Sequence, residues 1–304
     1  MMKKAIRPTR EQLEIWMDAI LPDKDLFFIR EEDLTVLEEN LTGTLLFPRK
    51  EFFNHSSYQH VQMVSSYMYW TIVAEAVYVV VAEPRWLTEL NDETRSFLLL
   101  QQTELCSGLT IPLSKLQDVD LIPKEYIVSQ ESELFVVIRR AMWDALSFEV
   151  KEEMIRLTGQ LYDAWEGKPV PANLPVHLRR YANTFSDKSG ANCLAAVLFA
   201  ISTEPELEEW IIHEWVHPET FALHLQRSAF VKTEDRFIGG DVVVWVNDED
   251  VIQHAAYCID GVLFFNKSGQ IFTNPWKIVD WSYLEEDWKR YTSIVYRKHL
   301  PYHS

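Results

Sequence analysis

The stretch Ser189-Gly190-Ala191-Asn192-Cys193-Leu194-Ala195-Ala196-Val197-Leu198-Phe199 decides how this chain is read. A polar loop with one glycine runs into a cysteine, and an apolar run follows at once. Leu194, Val197, Leu198 and Ile201 recur at i, i+3, i+4 and i+7, which is one face of a helix. Asn192 stands where an N-cap is needed, because its side chain can accept from an otherwise free backbone N–H. Cys193 then opens the first turn, where the helix dipole and unpaired N–H groups favour a thiolate, the nucleophilic form. The alternative is a small apolar core residue, the commoner fate of an unpaired cysteine.

Composition bounds the function classes. The 304 residues suffice for two domains, and a hydrophobic content of 47% supports a sizeable core. Lys and Arg number 29 against 46 Asp and Glu, a net charge of −17. A field of that sign repels phosphate and argues against nucleic acid or an anionic membrane as partner. Three cysteines, Cys106, Cys193 and Cys258, are too few and odd in number for a disulfide framework and suit a reducing compartment. The opening MMKKAIRPTREQLEIW has no apolar core after its lysines, so no signal peptide is expected. Residues 68–82 are too short to span a bilayer and include Glu75. A cytoplasmic protein is expected.

Residues 1–165 read as a mostly helical domain. Thr9 and Gln12 have capping-box spacing, and Leu13, Trp16, Met17 and Ile20 continue as an apolar stripe that Pro22 stops. Residues 31–40 read as a second helix. Residues 55–83 fit one long helix ended by Pro84, although its valine-rich end fits a buried strand equally well. Residues 92–105 read as helix with Asn91 or Asp92 as cap, and 129–148 and 150–165 as two further amphipathic segments. Tyr67, Tyr69, Trp70 and Trp86 read as core. This half carries no chemical motif; its expected role is to restrict access to a site or to bind a protein partner. The run EGKPVPANLP at 166–175 holds three prolines and a glycine, so a Pro-rich linker is expected over 166–176 and a second domain over 177–304.

The second domain reads as α+β, with the cysteine helix packed on an antiparallel sheet. Strands are expected at 241–246, 253–259, 262–266 and 276–279, with Asp260-Gly261 as a hairpin signal, then a short helix at 283–290. His254 opens a strand just after a polar turn. A cysteine nucleophile needs a base to take its proton and return it to the leaving group, and histidine suits that near neutral pH. The base needs a polar group to hold its tautomer, and Asn266 on the next strand is the candidate. A two-residue Asp260-Gly261 loop would pair Ala255 with Asn266 and send His254 to the opposite face. A three-residue Ile259-Asp260-Gly261 loop would pair His254 directly with Asn266. The triad requires the second register or its equivalent.

This order of residues resembles the NlpC-type family of papain-like cysteine peptidases. In that family a tyrosine precedes the nucleophile by about a dozen residues, as Tyr181 precedes Cys193. A Gly-Asp-apolar strand, here Gly240-Asp241-Val242-Val243-Val244-Trp245, leads to a strand opening with histidine, here His254-Ala255-Ala256-Tyr257. A polar third residue follows, here Asn266. The resemblance covers residues 177–290 and implies a papain-like fold with Cys193 as nucleophile, His254 as base and Asn266 as orienter. It also implies that Tyr181 and the Cys193 amide stabilise the oxyanion, with Asn192 at the substrate-reading edge. Asn192 replaces the family's aspartate, Leu194 its serine, and Asn183-Thr184-Phe185 its tryptophan and paired glycines. The implied reaction is hydrolysis of a peptide or related amide, of cell-wall type or another, through a thioester and without metal or organic cofactor.

A competing motif is His213-Glu214-Trp215-Val216-His217, which fits HExxH, two zinc ligands one helical turn apart with a general base between them. Pro218 places His217 at a helix end. The alternatives to a cysteine hydrolase are therefore a zinc hydrolase on His213, Glu214 and His217, or a non-catalytic interaction protein that keeps the fold. Cys258 reads as core, Asp241 as a turn residue, and the acids of 204–209 as a solvated helix start.

Overall fold

The computed structural model describes residues 3–59, 72–105 and 109–299 of a mixed helix-and-sheet chain. It divides into two compact units, Met1–Gln12 with Tyr162–Ser304, and Leu13–Leu161. Strand β1 (Lys4–Ala5) opens the first unit. The capping box then forms reciprocally: the Thr9 N–H donates to Gln12 Oε1 at 3.0 Å, and the Gln12 N–H to Thr9 Oγ1 at 3.1 Å. Helix α1 (Arg10–Ala19) follows and buries Leu13, Trp16 and Met17.

Beside its helices the Leu13–Leu161 unit holds, among the described residues, two three-stranded antiparallel sheets that the helical expectation did not include. In one, β2 (Asp25–Ile29), β3 (Leu45–Pro48) and β4 (Tyr78–Ala82) lie in the order β2-β4-β3. The valine-rich end of the expected long helix is thus the central strand, where β-branched side chains pack on both faces. The start of that expected helix is a 3-10 turn at Ser56–Tyr58, residues 72–77 are not helical, and residues 60–71, with Tyr67, Tyr69 and Trp70, lie outside the described residues, as does Cys106. In the other sheet, β5 (Thr110–Pro112), β6 (Ile127–Gln130) and β7 (Glu133–Val137) run in the order β5-β7-β6. Residues 129–148 therefore do not form one amphipathic helix. The β6–β7 turn is made by Glu131 and Ser132 at φ +47° and +75°, a left-handed pair with no Asn or Gly to announce it. Helix α2 (Asp92–Glu104) is capped as expected, Asn91 Oδ1 accepting the Thr94 N–H at 2.9 Å. Its buried Gln102 acts as an extra strand for β2, accepting the Phe28 N–H at 2.9 Å and donating to the Phe28 carbonyl at 3.0 Å. Helix α3 (Phe148–Tyr162) ends the unit.

The chain changes units at Leu161/Tyr162, and the stretch expected as a linker is built into the following unit. Strand β8 (Glu166–Gly167) pairs with β1, the Lys168 N–H donates to the Ile278 carbonyl at 2.7 Å, and Leu174 is buried. Helices α4 (Cys193–Ala200) and α5 (Pro218–Arg227) come next. Then come β9 (Phe230–Thr233), β10 (Val242–Val246), β11 (Ile252–Cys258), β12 (Leu263–Lys267), β13 (Trp276–Asp280), α6 (Trp281–Asp287) and β14 (Thr292–Lys298). The six strands form one antiparallel sheet in the order β13-β12-β11-β10-β14-β9. The sequence pattern had shown four of them; β9 and β14 extend the sheet beyond β10.

Alternation along the strands gives this sheet two apolar faces. Val242, Val244, Val246 and Ala255 pack with Leu194, Val197 and Leu198 of α4. Val243, Trp245, Ala256, Phe264 and Val279 pack with Leu284 of α6 on the opposite face. Each fully buried Leu or Val contributes roughly 1.5–3 kcal/mol, so both helices are held by burial rather than by propensity. Among the described residues no helix is long and apolar enough to cross a membrane.

Candidate active site

Cys193 is the first residue of α4, and Asn192 is its N-cap, with Oδ1 accepting the Ala195 N–H at 3.0 Å. The rest of the Asn192 amide is spent inside the fold: Nδ2 donates to the Val216 carbonyl at 2.7 Å, and Oδ1 also accepts the Val216 N–H at 3.4 Å. Its side chain is thus a buried clamp between the helix start and the Val216 segment, with no donor or acceptor turned to a substrate. Asn192→Ala is expected to lower stability by about 2–3 kcal/mol, the loss of a cap plus two buried backbone partners. The midpoint of urea unfolding checks this.

Cys193 is half-buried, and desolvation by the packing around its thiol pushes it up to about 11. The N–H groups of Ala255, Leu194 and Cys193 itself and the charge of Lys267 act in the other direction. The helix terminus thus favours the thiolate, as its first-turn N–H groups should, but desolvation outweighs it.

His254 and Asn266 are joined. His254 Nε2 lies 2.7 Å from Asn266 Oδ1, and both residues are almost fully buried. The hairpin register is neither of the two anticipated. Tyr257 pairs with Phe265, Cys258 with Phe264, and the Ile259 N–H reaches the Leu263 carbonyl at 2.8 Å. The turn is therefore Asp260-Gly261-Val262, with Gly261 at φ +86°. Asp260 Oδ1 accepts from the Val262 and Leu263 N–H groups at 3.0 and 2.8 Å. An even register offset keeps His254 and Asn266 on one face as diagonal neighbours, within reach of a side-chain hydrogen bond. The imidazole is stacked on Trp288, centroids 4.0 Å apart and planes 5° apart, and tilts against Trp245 at 5.4 Å.

An amide Oδ1 only accepts, so Nε2 carries the proton and Nδ1 holds the lone pair. Nδ1 is buried and has no hydrogen-bond partner among the described residues. The structure therefore joins His254 to Asn266, the expected base and orienter, and gives no hydrogen bond between His254 and Cys193. Strand alternation gives the reason. Ala255 packs on the α4 face, where its N–H meets the Cys193 thiol, while His254 turns with Trp245 toward Trp288.

Tyr181 is buried, and its hydroxyl donates to Glu209 Oε1 at 2.7 Å and lies 3.4 Å from His213 Nε2. Burial and the Glu209 carboxylate hold the phenol well above its ordinary range. Its proton is committed to that carboxylate rather than directed at an acyl oxygen. His213 packs edge-on against Tyr181 and Trp276 and ends the 3-10 turn Glu209–His213, from which Glu214 departs in extended conformation. His217 is also extended and precedes α5, with Pro218 as its first residue. The one-turn helical spacing that makes HExxH a ligand pair is thus absent: Pro218 starts the next helix instead of ending a shared one. Among the described residues no group of three or more His, Cys, Asp or Glu is placed to hold a metal.

Several buried polar residues escaped the sequence pattern. Lys267 is fully buried on β12, its ammonium donating to the Ile271 carbonyl at 3.3 Å and to the Asn274 carbonyl, and burial pushes it down to about 7. Lys277 and Asp163 form an ion pair with no side-chain exposure. A lysine at the end of the run Leu263–Lys267 is a detectable signal; Asp163, 114 residues from Lys277, is not. In comparisons with protein-family models, curated proteins and solved structures, nothing matches this chain.

Proposed function

We propose that the unit containing residues 162–304 is a papain-like thiol hydrolase acting on a peptide or related amide, with Cys193 as nucleophile and His254, held by Asn266, as base. The observation that carries this reading is the 2.7 Å bond from His254 Nε2 to Asn266 Oδ1 under Trp288. It fixes the tautomer whose free nitrogen, Nδ1, is the basic one, on the residue next to the N–H that meets the thiol.

In the resting protein the thiol and the imidazole are both uncharged, since burial pushes the first up to about 11 and the second down to about 3. Proton transfer therefore accompanies attack. The Cys193 S–H proton passes to His254 Nδ1 as Sγ bonds to the carbonyl carbon. The resulting oxyanion collapses as the imidazolium returns that proton to the departing amine, leaving a thioester. Water then attacks the thioester with Nδ1 as base, releasing the acid and the free thiol. In the resting protein His254 packs with Trp245 and Trp288 on the sheet face opposite α4, so the reaction requires substrate binding to bring the imidazole to the Cys193 thiol. The placement of His254 on the sheet face opposite Cys193 favours a second reading, a non-catalytic interaction module that keeps the fold.

A panel of dipeptidyl vinyl sulfones separates the two, because such probes react with a thiol whose partner delivers a proton. Labelling is expected at Cys193 and not at Cys258, and His254→Ala is expected to slow it about 100-fold. Peptide mapping by mass spectrometry is the measurement. Cys193 labelling no faster than Cys258, or untouched by His254→Ala, would replace the hydrolase with the interaction module.

A further inference from the structure

The face of the sheet that carries His254 also carries a continuous polar chain, which the hydrolase chemistry does not by itself require. Asn266 Nδ2 donates to Ser268 Oγ at 3.2 Å. Ser268 Oγ lies 3.3 Å from the Tyr283 hydroxyl. Lys277 Nζ donates to that hydroxyl at 3.0 Å and to Asp163 Oδ1. Asn274 Nδ2 donates to the other Asp163 oxygen at 3.3 Å. The Asp287 carboxylate also faces the phenol.

The direction of this chain follows from the chemistry of its ends. Lysine offers only protons, and an ionised carboxylate accepts only. Lys277 therefore takes a lone pair of the Tyr283 oxygen, and Asp287 draws the phenol proton. The phenol has its second lone pair left for Ser268, so the serine donates to the tyrosine. The serine oxygen then accepts, and the group facing it must be the amide nitrogen of Asn266. That leaves Oδ1 as the atom presented to His254, which must donate from Nε2. A flipped Asn266 would present N–H to Nε2 and move the imidazole proton to Nδ1, where a base needs its lone pair.

We infer that Ser268, Tyr283 and Lys277 are positioning residues that fix the orientation of the Asn266 amide and, through it, the Nε2–H tautomer of His254. None of them touches the reacting atoms. The inference takes His254 as the base proposed above, yet it concerns a tautomer, which exists whether or not Cys193 reacts.

The test is nitrogen-15 NMR of the His254 ring at pH 7 in the full chain, compared with Ser268→Ala, Ser268→Thr and Tyr283→Phe, with thermal unfolding to confirm that each variant is folded. The native protein is expected to show a pyrrole-type Nε2 and a pyridine-type Nδ1. Ser268→Ala removes one neutral hydrogen bond that discriminates between the two amide orientations. It is expected to lower the Nε2–H to Nδ1–H ratio about fivefold to tenfold. Ser268→Thr keeps the hydroxyl and is expected to restore the native ratio, which loss of packing would not do. Tyr283→Phe is the second variant and is expected to shift the ratio in the same sense. An unchanged ratio in both Ser268→Ala and Tyr283→Phe overturns the inference. A shifted ratio in a protein whose Cys193 resists vinyl sulfones upholds the positioning role and overturns only the hydrolase.

Discussion

Lys277→Met is expected to destabilise the chain by about 3–5 kcal/mol, the usual cost of removing one partner from a buried ion pair. Lys277 and Asp163 have no exposed side-chain surface. Burial raises the Asp163 carboxyl, and the charge and hydrogen bond of Lys277 oppose it most, followed by the Asn274 bond and the charge of Lys267. Methionine fills most of the lysine volume but leaves Asp163 with the 3.3 Å bond from Asn274 Nδ2 and the charge of Lys267. The carboxyl then takes up a proton rather than stay charged and dry. The loss is expected to shrink as pH falls, because protonation relieves the uncompensated charge. A double variant, Asp163→Asn with Lys277→Met, removes both charges and is expected to regain most of the loss, since well-packed neutral replacements of buried pairs are often close to neutral. Urea unfolding of the two single variants and the double variant gives the coupling directly. A single-variant loss under about 1 kcal/mol, the range of an exposed pair, would contradict the burial of this one.

That ion pair also marks where sequence and structure part. The cysteine helix was legible, because a capping Asn and an apolar run at helical spacing are local signals, and both stand in the structure at Asn192 and Cys193–Ala200. So were the β10, β11 and β12 segments, whose periodicity and Asp260-Gly261 turn depend on near neighbours. The same-face relation of His254 and Asn266 was legible as a parity, but the register was not. A one-residue displacement of the turn is decided by how Asp260 accepts from Val262 and Leu263. The helical expectation for residues 129–148 failed because the β6–β7 turn uses Glu131 and Ser132 in left-handed conformation, against their preference. The roles of Asn192 and Tyr181 were read from resemblance, and the structure spends both side chains on internal partners, Val216 and Glu209. Asp163 lies among residues assigned to the other domain, and no local pattern ties it to Lys277.

Between pH 6.5 and pH 3 the native protein is expected to lose about 4–5 kcal/mol of stability through the His254 imidazole alone. Burial pushes that ring down to about 3, with the Asn266 bond only partly opposing. As pH falls through about 6.5 the unfolded chain binds a proton at this histidine, and the folded chain does not until about pH 3. The unfolded state thus holds more protons across the whole window, so stability falls as pH falls, by about 1.4 kcal/mol per unit. Carboxylates add their own losses below about pH 5, and His254→Gln separates them by removing one titration and keeping a polar side chain beside Asn266. The stability difference between native protein and variant, from urea unfolding at intervals from pH 7 to pH 4, is expected to narrow steadily toward acid. Parallel profiles would mean that the imidazole is solvated and titrates normally. The same desolvation bears on the chemistry. Burial between Trp245 and Trp288 pushes the imidazole down to about 3 and so favours its neutral form at neutral pH over a preformed thiolate–imidazolium pair. In the proposed reaction Nδ1 becomes the base only once it meets the thiol, which in the resting protein lies on the other face of the sheet. An acid-labile fold and, in the proposed reaction, a base that works only during attack are then two consequences of one buried ring.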